Sequence, residues 1–390
     1  MLLLGCLFDR KREKEILSLS RSGISNAANT FQWNLIDGIN TQLDSPVNIV
    51  NVLPVGTYPK RYKKLWLGQR TWSYKGSKNV EIGGINLPFI KQWIRTRRIK
   101  RAIKKSGEKN ILIYSTYFPF LKATQKLDAS YKITLIVTDL PEFYDLGRTT
   151  VIRRYLRKLN NKLLYTCMER VNAFVLLTEQ MKEPLCVGER PYVVVEGIAG
   201  EQAQEMKNVK SATANKVILY TGSLQYQFGI RSLLDAFALI EDDDYALWIC
   251  GAGEAKEEII ERAKKDKRIR FFGYITKDEV RELQSQATVL INPRRDEAEY
   301  TKYSFPSKTM EYMMSGVPVI MYKLAGIPEE YQEYLYYVNG NTTLDLKNKI
   351  TEVCTLSEEE LALFGAKAKA FVEREKSAKV QAKRILSLME

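Results

Sequence analysis

"SFPSKTMEYMMSGVPVI", residues 304–320, is the stretch whose reading decides the fold. Pro306 cannot continue a preceding element and presets a turn. A helix follows from Ser307, and then an apolar strand. Ser307, Lys308 and Thr309 fill the first helical turn, where N–H groups lack intrahelical partners and the helix dipole is positive. An anion is favoured there, and Lys308 adds a charge. Glu311 lies one turn further in. It either accepts the paired hydroxyls of a ribose or simply faces solvent, with Ser307 as a plain helix cap.

The same alternation runs outward. "VILYTG" (217–222), "ALWICG" (246–251), "RIRFFG" (268–273), "ATVLINP" (287–293) and "VPVIMY" (317–322) read as buried parallel strands. "IRSLLDAFALI", "AKEEIIERAKK" and "KDEVRELQSQA" are the helices between them. Three loops at strand carboxyl ends carry glycine: "YTGSLQYQFG", "ICGAGE" and "FFGYI". Glycine at Gly222 lets the backbone approach a phosphate closely, although any one such loop is equally an ordinary turn. Residues 200–215 are polar and aperiodic and read as a linker. Before them "LLLGCLF" (2–8), "VNIVNVL" (47–53), "ILIYS" (111–115), "ITLIVTD" (133–139), "AFVLLT" (173–178) and "YVVVE" (192–196) are further strands. Ile24, Ala27, Ala28, Phe31, Leu35 and Ile39 recur at helical spacing between the first two. The expected architecture is α/β, with two Rossmann-like domains facing each other across a cleft. The domains are 1–200 and 216–375, joined by a linker at 201–215. A last helix, 376–390, is open to packing back on the first domain.

Composition narrows the chemistry. The 390 residues contain no histidine, which removes His-based triads, His proton shuttles and His-ligated metals. Five scattered cysteines suggest neither a zinc site nor a disulfide framework, and point to a reducing interior. "MLLLGCLF" is too short for a signal sequence and fits a first strand. No apolar run is long enough to span a bilayer. The net charge of +14 is unevenly placed: residues 1–200 hold 33 Lys/Arg against 16 Asp/Glu, and residues 201–390 hold 27 against 30. The basic first half predicts an anionic partner. "KQWIRTRRIKRAIKK" (91–105) has eight basic residues and no acid, and "VIRRYLRKLNNKLLY" (151–165) is a second basic amphipathic stretch. Lys91, Arg95, Arg97, Arg98 and Arg101 are the expected membrane-facing residues. No nucleic-acid module is recognisable, so an anionic membrane surface is the expected partner, and nucleic acid is not.

"YTGSLQYQFGIRSLLDAF", "ICGAGE", "IRFFGYITKDEVRELQSQATVLINPR" and "FPSKTMEYMMSGVPVI" resemble, in this order and spacing, the donor domain of glycosyltransferase family 4. These are retaining enzymes of the GT-B fold. The resemblance covers most of 216–335. "SGISNAANTFQWNL", "VTDLPEFY" and "LLTEQMKEPL" are similar to the same family more loosely. "INPR" followed by "YTKYSFPSKTMEYM" is most similar to its bacterial capsule and exopolysaccharide members.

That resemblance implies roles. Of the family's two glutamates eight positions apart, the second maps to Glu311, on the donor ribose. The first, on the transferred sugar, is replaced by Tyr303; either Glu299 or Glu297 stands in, or backbone N–H groups alone hold the sugar. Phe228 occupies a place where Lys or Arg is common, which leaves Arg294 and Lys308 for the diphosphate. Gly23, Gly222, Ser223, Gly251 and Gly253 belong to the implied donor site, as do Tyr274 and Ile275 of "FFGYI" and the Ser307–Thr309 turn. Asp139 of "VTDLPEF" stands on the acceptor side, where the family usually has His. Asp139, Glu299 and Lys308 are thus the catalytic candidates.

The implied activity is retaining hexosyl transfer from a nucleotide diphosphate-sugar, uridine favoured, to a lipid-linked or glycan acceptor in surface-polysaccharide synthesis. The donor is a co-substrate, and neither cofactor nor metal is expected. Charge building on the departing phosphate needs preorganised donors, which backbone N–H groups and Lys308 supply. "EDDDY" (241–245), at the amino end of a strand, reads as a solvated turn. The expected location is cytoplasmic, peripheral on the inner face of the plasma membrane. A nucleotide-sugar epimerase of the same fold and a non-catalytic nucleotide-binding scaffold are the alternatives.

Overall fold

A computed structural model describes residues 1–21, 26–143, 151–200, 216–296 and 299–389, with the backbone alone for 10, 151–154 and 156. Gly23, Glu297 and the segment 201–215 lie outside the described residues. The chain divides into two compact units, Met1–Ile198 with Ala378–Glu390, and Ala199–Ser377.

The first unit contains strands β1 (Leu2–Gly5), β2 (Asn48–Asn51), β3 (Trp66–Leu67), β4 (Arg70–Trp72), β5 (Asn79–Glu81), β6 (Gly84–Ile85), β7 (Asn110–Tyr114), β8 (Lys132–Val137), β9 (Ala173–Leu176) and β10 (Tyr192–Val194). Eight of them form one sheet in the order β10-β9-β8-β7-β1-β2-β5-β4, parallel except for the edge strand β4. The central strands β1, β7, β8 and β9 are apolar on both faces and almost wholly buried, as a parallel sheet covered on both sides requires. β3 and β6 make a separate antiparallel ribbon. Its helices are α1 (Glu13–Leu19), α2 (Asn26–Asn40), α3 (Ile90–Ser106), α4 (Phe118–Thr124) and α5 (Val151–Met168). Right-handed crossovers carry the chain from β2 toward β9 through α3, α4 and α5, which places those three on one face and α2 on the other.

The second unit has β11 (Lys216–Ser223), β12 (Tyr245–Ala252), β13 (Ile269–Gly273), β14 (Val289–Asn292), β15 (Val319–Tyr322) and β16 (Tyr336–Val338). Its helices are α6 (Ile230–Ala238), α7 (Lys256–Lys265), α8 (Lys277–Gln286), α9 (Ser307–Met314), α10 (Thr343–Cys354) and α11 (Glu358–Glu375). The sheet is wholly parallel, in the order β13-β12-β11-β14-β15-β16. The order reverses between β11 and β14. Ligand crevices of open α/β sheets lie at such a reversal, outside the carboxyl ends of the strands.

α12 (Ala378–Leu386) returns to the first unit and packs on α2. The approach is close at Gly38, where an added Cβ would stand 2.1 Å from the Ala378 carbonyl oxygen. Ala382, Ile385 and Met389 join Leu3, Ile36 and Ile49 in one apolar core.

Candidate active site

At the reversal point the sheet opens. β11 pairs with β14 only through Ile218–Val289 and Leu219–Leu290. Beyond them Thr221 has no strand on that side, and its N–H and C=O would be orphaned in a buried place. The Tyr312 phenol of α9 fills the gap: it accepts from the Thr221 N–H at 2.8 Å and donates to the Thr221 carbonyl at 2.8 Å. Burial pushes the phenol far above its ordinary range, so its proton stays in place for donation. One fully buried side chain thereby ties the helix turn carrying Lys308 and Glu311 to the backbone just before Gly222. The sequence reading missed Tyr312, because a tyrosine on the inner face of an apolar helix gives no signal of the edge it satisfies.

The glycines of the neighbouring loops have an internal reason for being there. A Cβ on Gly251 (φ +144°) would stand 1.8 Å from the Gly222 carbonyl oxygen, and one on Gly253 would stand 2.5 Å from the Leu224 carbonyl carbon. The loops after β11 and β12 therefore interlock backbone to backbone, and the Tyr220 hydroxyl ties its own loop by donating to the Ser223 carbonyl at 2.7 Å. Gly229, with φ +84°, lies against Pro293, 2.1 Å from a hypothetical Cβ to the Pro293 carbonyl oxygen. That contact joins the loops after β11 and β14.

Arg294 follows β14 at this junction and is 7% exposed. Its guanidinium donates to the Ser304 hydroxyl at 2.9 Å and lies 5.6 Å and 4.8 Å from the ring centres of Phe228 and Tyr300. Its Nε is buried with no hydrogen-bond partner; the guanidinium forms no ion pair among the described residues, although the Tyr300 hydroxyl and the Asp296 charge act on it. Desolvation lowers its pKa from the ordinary arginine value.

At the start of α9, Ser307 is exposed and Lys308 half-exposed, and among the described residues no group takes their N–H donors. Lys308 Nζ and Glu311 pair across one turn at 2.8 Å and 2.9 Å. Ser307 is not the cap; Pro306 holds that position, without a side-chain hydrogen bond. Thr309 offers no free donor at this turn. It is fully buried, its N–H donates to the Pro306 carbonyl at 2.8 Å, and its hydroxyl faces the Met321 sulfur. Glu299 opens a short 3-10 turn, Glu299–Tyr303, and is exposed, while Tyr303 closes that turn half-buried. Tyr274 is 70% exposed beyond the end of β13, with Ile275 partly covered beside it.

Residues 215–355 match a family model described as Glycosyl transferases group 1. That match lies within the second unit and covers most of it. Among solved structures, the lipopolysaccharide outer core galactosyltransferase WaaB in its apo form is 14% identical with a TM-score of 0.65, over 100% of this chain and 99% of that one. A glycosyltransferase from Rickettsia africae is 13% identical with a TM-score of 0.67, over 99% and 97%. Anabaena HepE in complex with UDP and glucose is 12% identical with a TM-score of 0.64, over 100% and 98%. At these identities the likeness is one of fold, and the fold is GT-B. No curated protein matches the chain.

In the first unit of this GT-B chain, Asp139 stands just past the carboxyl end of β8. Desolvation by the packed surroundings pushes its carboxyl up to about 6, although solvent reaches the side chain. The basic helix α3 is not the uniform charged face expected. Lys91 and Arg95 are 7% and 4% exposed and point inward. Lys91 Nζ donates to the Val55 carbonyl at 2.6 Å, and Arg95 donates to the Leu53 carbonyl at 3.1 Å and the Tyr117 hydroxyl at 2.9 Å. They hold α3 to the loop after β2 by satisfying carbonyls that leave the sheet there, so neither is membrane-facing. Arg98 is half committed, donating to the Gly83 carbonyl at 3.0 Å. Arg97 and Arg101 do face outward. On α5, Tyr155, Leu159 and Leu163 form an exposed apolar stripe at four-residue spacing. Among the described residues no helix is long and apolar enough to cross a membrane.

Proposed function

We propose that this chain is a retaining glycosyltransferase that moves a sugar from a nucleotide diphosphate-sugar, of the uridine class, to a lipid-linked or glycan acceptor in surface-polysaccharide synthesis. The observation that carries this reading is Arg294. A buried cation that forms no ion pair among the described residues, with only the Asp296 charge acting on it, stands at the reversal point of a doubly wound sheet and is suited to a diphosphate. The open N–H groups of Ser307 and Lys308, the Lys308 ammonium and the Gly222–Ser223 backbone add donors for the charge that grows on the departing phosphate oxygen. Glu311 releases Lys308 to the phosphate and takes the ribose hydroxyls. Asp139, with its raised carboxyl, receives or orients the acceptor proton near neutral pH. Glu299 covers the transferred sugar in the place where Tyr303 offers no charge. These groups need no metal for that work.

The acceptor and the basic first unit point to an anionic membrane surface as the place of work, on the cytoplasmic face. Radiolabelled UDP- and GDP-sugars, offered in excess chelator with lipid-linked and soluble glycan acceptors, test the reading. The expected result is transfer with retained anomeric configuration. Binding of UDP without transfer to any acceptor would instead favour the scaffold, and release of an epimerised sugar nucleotide the epimerase. Loss of transfer in chelator, restored by Mg²⁺ or Mn²⁺, would refute the metal-free mechanism.

A further inference from the structure

We propose that the β3–β6 ribbon and the first turns of α3 form a wedge that inserts into an anionic bilayer. This rests on the membrane-acceptor reading above and names the surface that meets the lipid. Phe89 is the starting point. It caps α3 with φ +59°, a left-handed backbone that bulky residues disfavour, and its side chain is 88% exposed. Beside it Ile90 and, one turn on, Trp93 are also exposed. The ribbon brings in two more large apolar side chains, Leu65 and Trp66. The Asn86 N–H donates to the Leu65 carbonyl at 2.7 Å, and Trp66 pairs with Ile85, four residues before Phe89.

The charge around this patch selects its partner. Residues 60–70 contain five Lys/Arg and no Asp or Glu, and α3 contains no acid along its length. Arg97 lies 3.9 Å over the Trp93 ring, which pairs an indole with a cation. Indoles sit at the headgroup level of a bilayer while Lys and Arg reach the lipid phosphates. An apolar ridge bordered mainly by cations, with Glu15 the acid that meets them through Lys64 at 3.3 Å, therefore fits anionic lipid better than the apolar groove of a neutral protein.

The test uses the full chain and vesicles of phosphatidylcholine, with and without phosphatidylglycerol. The parent should sediment with the mixed vesicles at least tenfold more strongly than with neutral ones, and brominated lipid should quench its tryptophan fluorescence. The double variant Phe89→Ser, Trp93→Ser should lose at least tenfold in partitioning, and Arg97→Gln, Arg101→Gln should lose the preference for anionic lipid. Because these four side chains are largely exposed, circular dichroism and melting should match the parent. A parent that ignores anionic vesicles, or a double variant that sediments and is quenched like the parent, overturns the proposal and leaves the ridge to a protein partner. The transferase reading fails separately, by absence of transfer to soluble acceptors, which the vesicle variants should leave intact.

Discussion

Tyr312→Phe isolates the contact that ties α9 to the strand edge before Gly222. The substitution keeps the ring, so no cavity opens and the packing of α9 is unchanged. It removes one oxygen that serves both the N–H and the C=O of Thr221. Thr221 is 2% exposed and β14 no longer runs beside it, so neither water nor a strand can take over. An orphaned buried backbone group costs about 1–3 kcal/mol. Two on one residue relax together, so about 2–4 kcal/mol is expected. For a unit of this size that lowers the midpoint by about 5–15 °C. Differential scanning calorimetry would record it as a shift in the transition of the second unit, with an unchanged far-ultraviolet spectrum at 20 °C. UDP affinity should weaken as well, because Gly222 is the next residue. A midpoint within a degree of the parent's would show that the strand edge is satisfied some other way, and the account of how α9 is tied to Gly222 would fall.

Three more outcomes are expected. Glu311→Gln should weaken UDP binding by roughly 10–100-fold, the worth of a charge-assisted hydrogen bond of about 1.5–3 kcal/mol less a small return for freeing Lys308; calorimetry giving an unchanged Kd would reject the ribose assignment. Gly229→Ala should destabilise the second unit by about 1–3 kcal/mol in a thermal melt, because φ +84° and the Pro293 carbonyl both oppose a Cβ. Burial lowers the Lys91 ammonium from 10.5 to about 7, so between those values the unfolded chain holds a proton that the folded one lacks. The parent should then gain stability over Lys91→Met as pH rises from about 7 to 9, by up to about 1.4 kcal/mol per unit, measured by urea unfolding across that range; equal slopes would show an amine that keeps its proton.

Much of the fold was legible because its central strands are continuous apolar runs ending in glycine or proline. "VILYTG", "ALWICG" and "ATVLINP" became β11, β12 and β14, and "SKTMEYMMS" became α9. β16, α10 and α11 went unread, although two of them announce themselves. "TTLD" and "SEEE" are capping boxes, with Thr342 and Ser357 each accepting from the backbone three residues on. The glycines of the loops after β11 and β12 were visible as glycines. Their reason was not, since Gly251 is fitted to the backbone of a loop nearly thirty residues earlier. The basic run at 91–105 misled because spacing along a helix does not say which cations turn inward to meet carbonyls, and Lys91 and Arg95 do. The exposed Leu65 and Trp66 of the ribbon lay in the basic stretch 60–70, where two short strands leave too little periodicity to read.

The return of α12 to the first unit sets a timetable for vectorial synthesis. Residues 199–377 precede it in the chain, so the whole second unit emerges before the helix that covers α2 exists. During that interval the α2 surface around Gly38, and the core that awaits Ala382 and Ile385, face water or a chaperone. The first unit can build its parallel sheet early, but its last layer closes only after its neighbour has had time to fold. A nascent chain stalled within residues 199–377 would therefore carry an apolar scar on a unit whose strands are otherwise complete.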